Sequence, residues 1–306
     1  MNLEHLKVFY TAATKKNFSE TAKVLHLSQP SVSLHIKHLE EYLNTTLFDR
    51  STKKMELTHA GNILFIFAEQ IINLVSQVEK DISLLSDSIH GDLRLGASLT
   101  IGEYLLPYFL GDFIKQYPNV HLSLKVDNSN QIIEKLLDGK IDLGFIEAAI
   151  PRKELDSLPF LEDELVIISS ARHPHPYLTD ETIEPELLFS LPIIAREQGS
   201  GTRQVLESNL LEHQLHLEQL HIVMELENTE SIKSAVESGL GVAIISKTTI
   251  QKELNLGLLK QTRINGIPLK RYFYLINKKQ VLTTASDVFK EFFITSVKAK
   301  SEAKQM

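Results

Sequence analysis

Residues 18–40 read FSETAKVLHLSQPSVSLHIKHLE, two helical patterns joined at a polar corner. In the first, Ser19 is placed to cap a helix with Glu20 in its opening turn, and Ala22 and Leu25 follow at helical spacing. The second begins after Ser28-Gln29-Pro30, where Ser28 can accept from free N–H groups and Pro30 suits the first turn. Its apolar residues Val32, Ile36, Leu39 and Leu43 recur at steps of 4, 3 and 4, which predicts one buried stripe. Upstream, Leu3, Leu6, Phe9, Tyr10 and Ala13 supply another helix, so the N-terminal end reads as three helices around a small core.

Opposite the stripe of the third helix, at about 100° per residue, stand Pro30, Ser31, Leu34, Lys37 and His38, flanked by Gln29, Ser33 and His35. Gln and Ser can hydrogen-bond base edges, Leu34 can meet a thymine methyl and Lys37 a phosphate, as a recognition helix in a major groove requires. An ordinary solvated helix face carries a similar mixture, and the next residues separate the two readings. Phe48-Asp49-Arg50-Ser51-Thr52-Lys53-Lys54-Met55-Glu56-Leu57-Thr58 is two extended stretches around a basic turn. Such a β-wing would set Arg50, Lys53 and Lys54 beside the backbone of the same duplex.

The run Phe18 to Glu40, continued by Leu47-Phe48-Asp49-Arg50 and Leu57-Thr58-His59-Ala60-Gly61, resembles the head of the LysR-type transcriptional regulators. Ala22, Gln29, Pro30, Ser33, Ile36, Leu39, Phe48, Arg50 and Thr58 match the head motif; Leu34 and His38 stand where members often carry Arg. The resemblance implies a winged helix-turn-helix that binds double-stranded DNA. It also implies self-association into a dimer, commonly a dimer of dimers, and RNA polymerase as a partner if the protein activates.

From Thr58 to about Ile89 there is no proline, and glycine occurs only at Gly61. A helix of some 30 residues would span roughly 45 Å. Ile63, Phe67, Ile71, Leu74, Val78, Ile82, Leu85 and Ile89 form one apolar stripe, and Leu64, Ile72 and Val75 a second. Water cannot face both stripes, so one is expected on the head and the other on a second copy. A purely intramolecular core helix is the alternative.

The whole chain of 306 residues, 43% hydrophobic and 23% charged, fits a soluble protein of two or three domains. Its net charge of -7 is unevenly spread: residues 1–58 hold eight Lys/Arg against six acids, +2, leaving 24 against 33, or -9, for the rest. That asymmetry suits a nucleic-acid contact confined to one end. Absence of cysteine excludes thiolate nucleophiles, disulfides and cysteine-ligated zinc. Met1 to Tyr10 carries Glu4, His5 and Lys7, unlike a secretory signal, and apolar runs fall short of the ~18 residues of a membrane span, so a cytoplasmic protein without membrane contact is expected.

Three segments follow: residues 1–58 as the DNA-binding head, 59–90 as the linker helix, and 91–306 as an effector-binding body. In the body, short β-rich runs alternate with helices (among them 102–116, 130–138, 201–214 and 229–238), the pattern of parallel α/β sheets. A strand near 271–277 and a helix at 284–297 return to the first lobe, giving lobe I at 91–162 and 267–300 and lobe II at 163–266. This is similar to the two-lobed, periplasmic-binding-protein-like effector domain of the LysR family.

Ligands of open α/β sheets collect at strand C-termini, near helix N-termini. The strand ends here present Ser98, Thr100, Asn128, Ser129, Glu147, Arg196, Gly199, Ser200, Gly201, Thr202, Arg203, Asn228 and Thr229. Hydroxyls, amides and glycines of this kind suit a small anion better than an aromatic ligand; Glu147 is the exception and can instead hold an arginine in place. A helix cap with surface arginines is the plain alternative for 196–203. These strings resemble the LysR subgroup that controls sulfur assimilation and carbon fixation, which implies a small oxyanion or phosphorylated metabolite as effector. No P-loop, Gly-x-Ser-x-Gly or paired-carboxylate motif supports an enzyme, and no cofactor or metal is expected. His213, His216 and His221, with His173 and His175, keep a metal-responsive regulator as an alternative, beside a ligand-independent factor and, further off, a solute-binding protein.

Overall fold

The computed structural model describes residues 1–49, 55–85, 89–148, 152–178, 181–279 and 282–303. It separates into two units, Met1–Ile89 with Gln280–Thr284, and His90–Lys279 with Ala285–Met306.

In the first unit, α1 (Leu3–Lys15), α2 (Phe18–Val24) and α3 (Gln29–Leu43) close around Phe9, Val32, Ile36, Leu39 and Leu47, all fully buried. Asn17, not Ser19, caps α2, accepting from the N–H groups of Ser19 and Glu20 at 2.8 and 3.1 Å. The helix starts there because Phe18 must turn inward onto Phe48, 5.6 Å between centroids. Ser28 caps α3 as expected, with Pro30 in the first turn, while Leu43 falls outside the core and is exposed. Strands β1 (Phe48–Asp49) and β2 (Glu56–Leu57) pair antiparallel as the base of a wing. The turn with Arg50, Lys53 and Lys54 lies outside the described residues.

Helix α4 (His59–Leu85) is capped by Thr58, whose Oγ1 accepts from the Gly61 N–H at 3.0 Å. Glycine is required at 61, since a Cβ there would stand 2.1 Å from the Leu47 carbonyl oxygen. One face of α4 joins the head core through Leu64, Phe65 and Ala68. Tyr10 stacks on Phe65 at 4.9 Å and donates to Glu69 at 2.8 Å. The other stripe, Ile63, Phe67, Leu74, Val78 and Ile82, is about half to two-thirds exposed, Leu74 at 66%. By length and composition alone His59–Val78 could cross a membrane, against the expectation from the sequence. Its packing onto the head and its bonded Glu69 belong instead to a helix with one face in a protein core.

The second unit contains β3 (Gly91–Ala97), α5 (Leu99–Tyr104), α6 (Pro107–Gln116), β4 (Val120–Val126), α7 (Ser129–Leu137), β5 (Leu143–Ile146) and β6 (Leu155–Ser170). After these come β7 (Thr182–Ile183), β8 (Ile193–Arg196), α8 (Gly201–Glu212), β9 (Ile222–Leu226), α9 (Thr229–Glu237) and β10 (Val242–Ser246). It ends with α10 (Gln251–Asn255), β11 (Leu259–Ile264), β12 (Lys270–Lys278) and α11 (Thr284–Ala303). The strands run in the order β4-β3-β5-β12-β6-β10-β8-β9, with β11 and β7 off that path. β3 is parallel to β4 and β5, and β8 to β9 and β10, as the alternation predicted. The helix expected over 102–116 is broken in two at Leu105, just before Pro107, which has no N–H to donate to the preceding turn.

β6 is one continuous 16-residue strand. Its first part pairs antiparallel with β12, and its last residues pair with β10 and β11. It thereby passes from one half of the sheet to the other. Helix α11 returns to the first half, where Phe289 and Phe293 join Phe113 and Phe145 in an aromatic core. Strand ends of the two halves, with the N-termini of α5, α7, α8 and α9, therefore belong to one unit.

Candidate functional site

On the head, Gln29, Pro30, Ser31, Ser33, Leu34, His35, Lys37 and His38 all lie on α3. Val32, Ile36 and Leu39 point inward, which turns Gln29, Pro30, Leu34, Lys37 and His38 to solvent. Gln29 lies 3.4 Å from the Ser33 hydroxyl, and Lys37 lies 3.6 Å from Glu41. Ser31 shares a hydrogen bond with Ser28 at 2.8 Å. One neighbour escaped the sequence reading: His5 of α1 stands 5.1 Å from His35 and 5.7 Å from His38, ring to ring. Partial burial and the two other imidazoles hold His5 below the usual histidine range.

In the body, most of the strand-end candidates come together and divide into two groups. Thr100 and Thr202 are committed to Glu147. Its Oε1 accepts from the Thr100 N–H at 3.3 Å, and its Oε2 from the Thr202 hydroxyl at 2.8 Å. Asn128 and Asn228 serve as caps, accepting from the N–H groups of Gln131 and Ser231 at 3.0 and 3.1 Å. Ser129, Ser200 and Thr229 differ: each is buried at a helix N-terminus and its hydroxyl has no partner. Ser98, just before α5, is likewise buried with an unpartnered hydroxyl. The halves meet closely, because a Cβ at Gly201 of α8 would stand 2.7 Å from both the Glu147 Cβ and the Ser129 Oγ. Gly199 holds a positive φ of 86°, and its carbonyl accepts from the Asn130 N–H at 3.5 Å.

The centre of the site is a residue that the strand-end reading missed. Arg271 on β12 lies directly opposite Asp163 on β6 in the antiparallel register. Its Nε donates to Asp163 at 2.8 Å, and its Nη1 to Glu147 at 2.7 Å and Thr202 at 3.1 Å. Asp163 also accepts from the hydroxyls of Ser246 and Thr248, at 2.7 and 2.9 Å. Arg271 shares the inward phase of its strand with Phe273 and Leu275, as Asp163 does with Leu165. A charge in that phase on two strands was the available signal. Burial alone would raise the Glu147 carboxyl, but the Arg271 and Arg196 guanidiniums and the Thr202 hydroxyl outweigh it and pull it down to about 2.

The other cations around these strand ends are paired as well. Arg196 is buried and bidentate to Glu197, at 2.8 and 3.1 Å. Arg203 turns outward to Glu225 and the Arg196 carbonyl. Lys233 of α9 bridges Glu230 and Glu253 at 2.8 and 2.6 Å, 5.0 Å from the Tyr104 ring, while the Tyr104 hydroxyl donates to Glu230 from the other half. Glu147 and Arg271 form one wall of a groove of about 600 Å³ that also involves Gln204, Ser208 and Tyr272. Among the described residues no group of three His, Cys, Asp or Glu side chains is placed to hold a metal ion.

Residues 3–62 match the family described as "Bacterial regulatory helix-turn-helix protein, lysR family", and residues 86–298 match the "LysR substrate binding domain". The chain is 36% identical over 293 residues to the "Probable RuBisCO transcriptional regulator" of Trichormus variabilis (strain ATCC 29413 / PCC 7937), covering 94% of this chain and 86% of the relative. It is also 36% identical over 304 residues to the protein of the same name from Cyanophora paradoxa, with coverage of 98% and 93%. The solved regulatory domain of CcmR from Synechocystis PCC6803, in complex with 2-PG, is similar at 30% identity and a TM-score of 0.62, covering 68% of this chain and 98% of that domain.

The buried triad predicts a specific weakness. Arg271→Met should leave Glu147 and Asp163 as uncompensated buried carboxylates and cost about 3–5 kcal/mol in urea unfolding of the body. Unfolding unchanged within about 1 kcal/mol would show that the network contributes little.

Proposed function

The chain belongs to the LysR family of DNA-binding transcriptional regulators, and on that premise we propose that its effector is a small oxyanion or phosphorylated metabolite bound between the two halves of the body sheet. The observation carrying this reading is the set of three buried, unpartnered hydroxyls, Ser129, Ser200 and Thr229, at the N-termini of α7, α8 and α9. Buried hydroxyls without partners are costly unless a ligand or water answers them. Helix N-termini of these lengths favour an anion. The similar CcmR domain in complex with 2-PG supports the same ligand class. Ser98 and Gly201 shape the cavity, and Thr100, Thr202, Arg196 and Glu147 form its second layer. A ligand touching Ser129 on one side and Ser200 and Thr229 on the other binds the closed arrangement more tightly than an open one, which is the requirement for a switch.

On the head, Gln29, Ser33, Leu34 and His38 read base edges, with Pro30, Ser31 and His35 at the groove wall, while Lys37 and the wing residues Arg50, Lys53 and Lys54 meet phosphates. The exposed stripe of α4 is the seam with a second copy, extended to a tetramer, and RNA polymerase is the partner where the protein activates. A cytoplasmic location accords with these partners.

Three outcomes test this function. Calorimetry of the full chain should detect 2-phosphoglycolate or a related small phosphate ester, and Ser200→Ala with Thr229→Val should weaken it by about tenfold or more while DNA binding persists. Undiminished affinity in that double variant would place the ligand elsewhere. Gln29→Ala should cost about 1–3 kcal/mol on a selected operator and relax one base pair, whereas a uniform loss over all sequences in a gel-shift panel would assign Gln29 to the backbone. Leu74→Glu should reduce the mass measured by light scattering, and a folded variant of unchanged mass would exclude the seam.

A further inference from the structure

The anion site just described has an unusual charge balance. Every arginine and lysine among its described residues is already paired with a carboxylate: Arg271 with Asp163 and Glu147, Arg196 with Glu197, Arg203 with Glu225, Lys233 with Glu230 and Glu253. The donors left to an incoming anion are the hydroxyls of Ser98, Ser129, Ser200 and Thr229, the helix N-termini, and the Nη2 of Arg271, a guanidinium whose charge is already shared by two carboxylates. Beside them stands Glu147, whose Cβ and the Ser129 Oγ crowd the same point above Gly201. A carboxylate accepts hydrogen bonds and donates none. Glu147 Oε1 takes the Thr100 N–H at a long 3.3 Å, which leaves acceptor capacity on that oxygen.

We propose that Glu147 is a specificity-determining residue, selecting oxyanions that can carry a proton near neutral pH, such as phosphate, a phosphate monoester or sulfite, over sulfate, which cannot. A P–OH or S–OH group donates to Glu147 while the charged oxygens take the hydroxyls of Ser129, Ser200 and Thr229. Sulfate brings no proton, so one of its oxygens faces the carboxylate without a hydrogen bond, and the one guanidinium nearby is already outnumbered by Glu147 and Asp163. The discrimination is one of hydrogen-bond complementarity and needs no difference in size. Because Glu147 is fixed by Arg271 and Thr202, it cannot turn away to admit the wrong anion.

This inference rests on the anion reading of the cleft, and the experiment separates the two. Calorimetry on the full-length protein would compare inorganic phosphate, 2-phosphoglycolate, sulfite and sulfate at one ionic strength, for wild type and Glu147→Gln. Wild type should bind phosphate or the ester at least tenfold more tightly than sulfate. Affinity for the ester should fall as pH rises above its second pKa of about 6. Glu147→Gln, whose amide can donate, should gain sulfate at least tenfold and lose most of that pH dependence. Wild type binding sulfate as well as phosphate would overturn the role of Glu147 while leaving the anion site standing. No heat with any of the four would overturn both. If the variant does not fold, the phosphate-to-sulfate ratio and the pH dependence of wild type still decide.

Discussion

A guanidinium can remain in the interior of this body only because carboxylates reach it from separate elements. Arg271 on β12 meets Asp163 across the strand pair and Glu147 beyond the end of β5, and each acid is in turn held by hydroxyls. Desolvating one such charge without its partners costs several kcal/mol. The triad therefore constrains four elements together: β6, β12, the end of β5 leading to Glu147, and the first turn of α8, which supplies Thr202. Position of the hydroxyl-bearing helix ends follows from that constraint. So does the ionised state of Glu147, which gives the cleft its acceptor character.

Head and body solve opposite electrostatic problems. The head carries a small positive excess and presents amides, hydroxyls and imidazoles from one helix, as a surface meeting phosphates and base edges must. The body is acidic overall, and the arginines and lysines at its cleft are tied to acids, so it offers little to bulk nucleic acid. The proposed function needs both properties in one chain: a DNA contact limited to its head, and a pocket that reads a small anion without attracting every polyanion.

Much of this was legible in the sequence because it rests on local periodicity. The cap and stripe of α3, the alternation of strands and helices in the body, and the convergence of Ser129, Ser200 and Gly201 follow from spacing and from where α/β sheets place their strand ends. The rest depends on pairing between distant residues. Arg271 and Asp163 lie 108 residues apart, and only the sheet register joins them. The Thr202 hydroxyl looked like a free donor because Glu147, from another element, could not be seen to use it. Asn128 and Asn228 are spent on their own helices, a local role that hydrogen-bond chemistry allowed but composition did not distinguish from a ligand contact. His5 joined His35 and His38 only once α1 had packed on α3.

The two halves of the body sheet share one continuous strand, β6, and this limits what the chain can tolerate. β12 begins beside β6 at the boundary, with Arg271 facing Asp163. Side chains of a strand alternate faces, so inserting or deleting one residue in either strand near this point would turn the whole following segment over. Arg271 would exchange places with an exposed neighbour, Lys270 or Tyr272, and the buried carboxylates would lose their counter-charge. A loop can take a change of length in its own backbone, whereas here an added residue must be absorbed as a bulge, as Phe160 is opposite Phe273 and Tyr274.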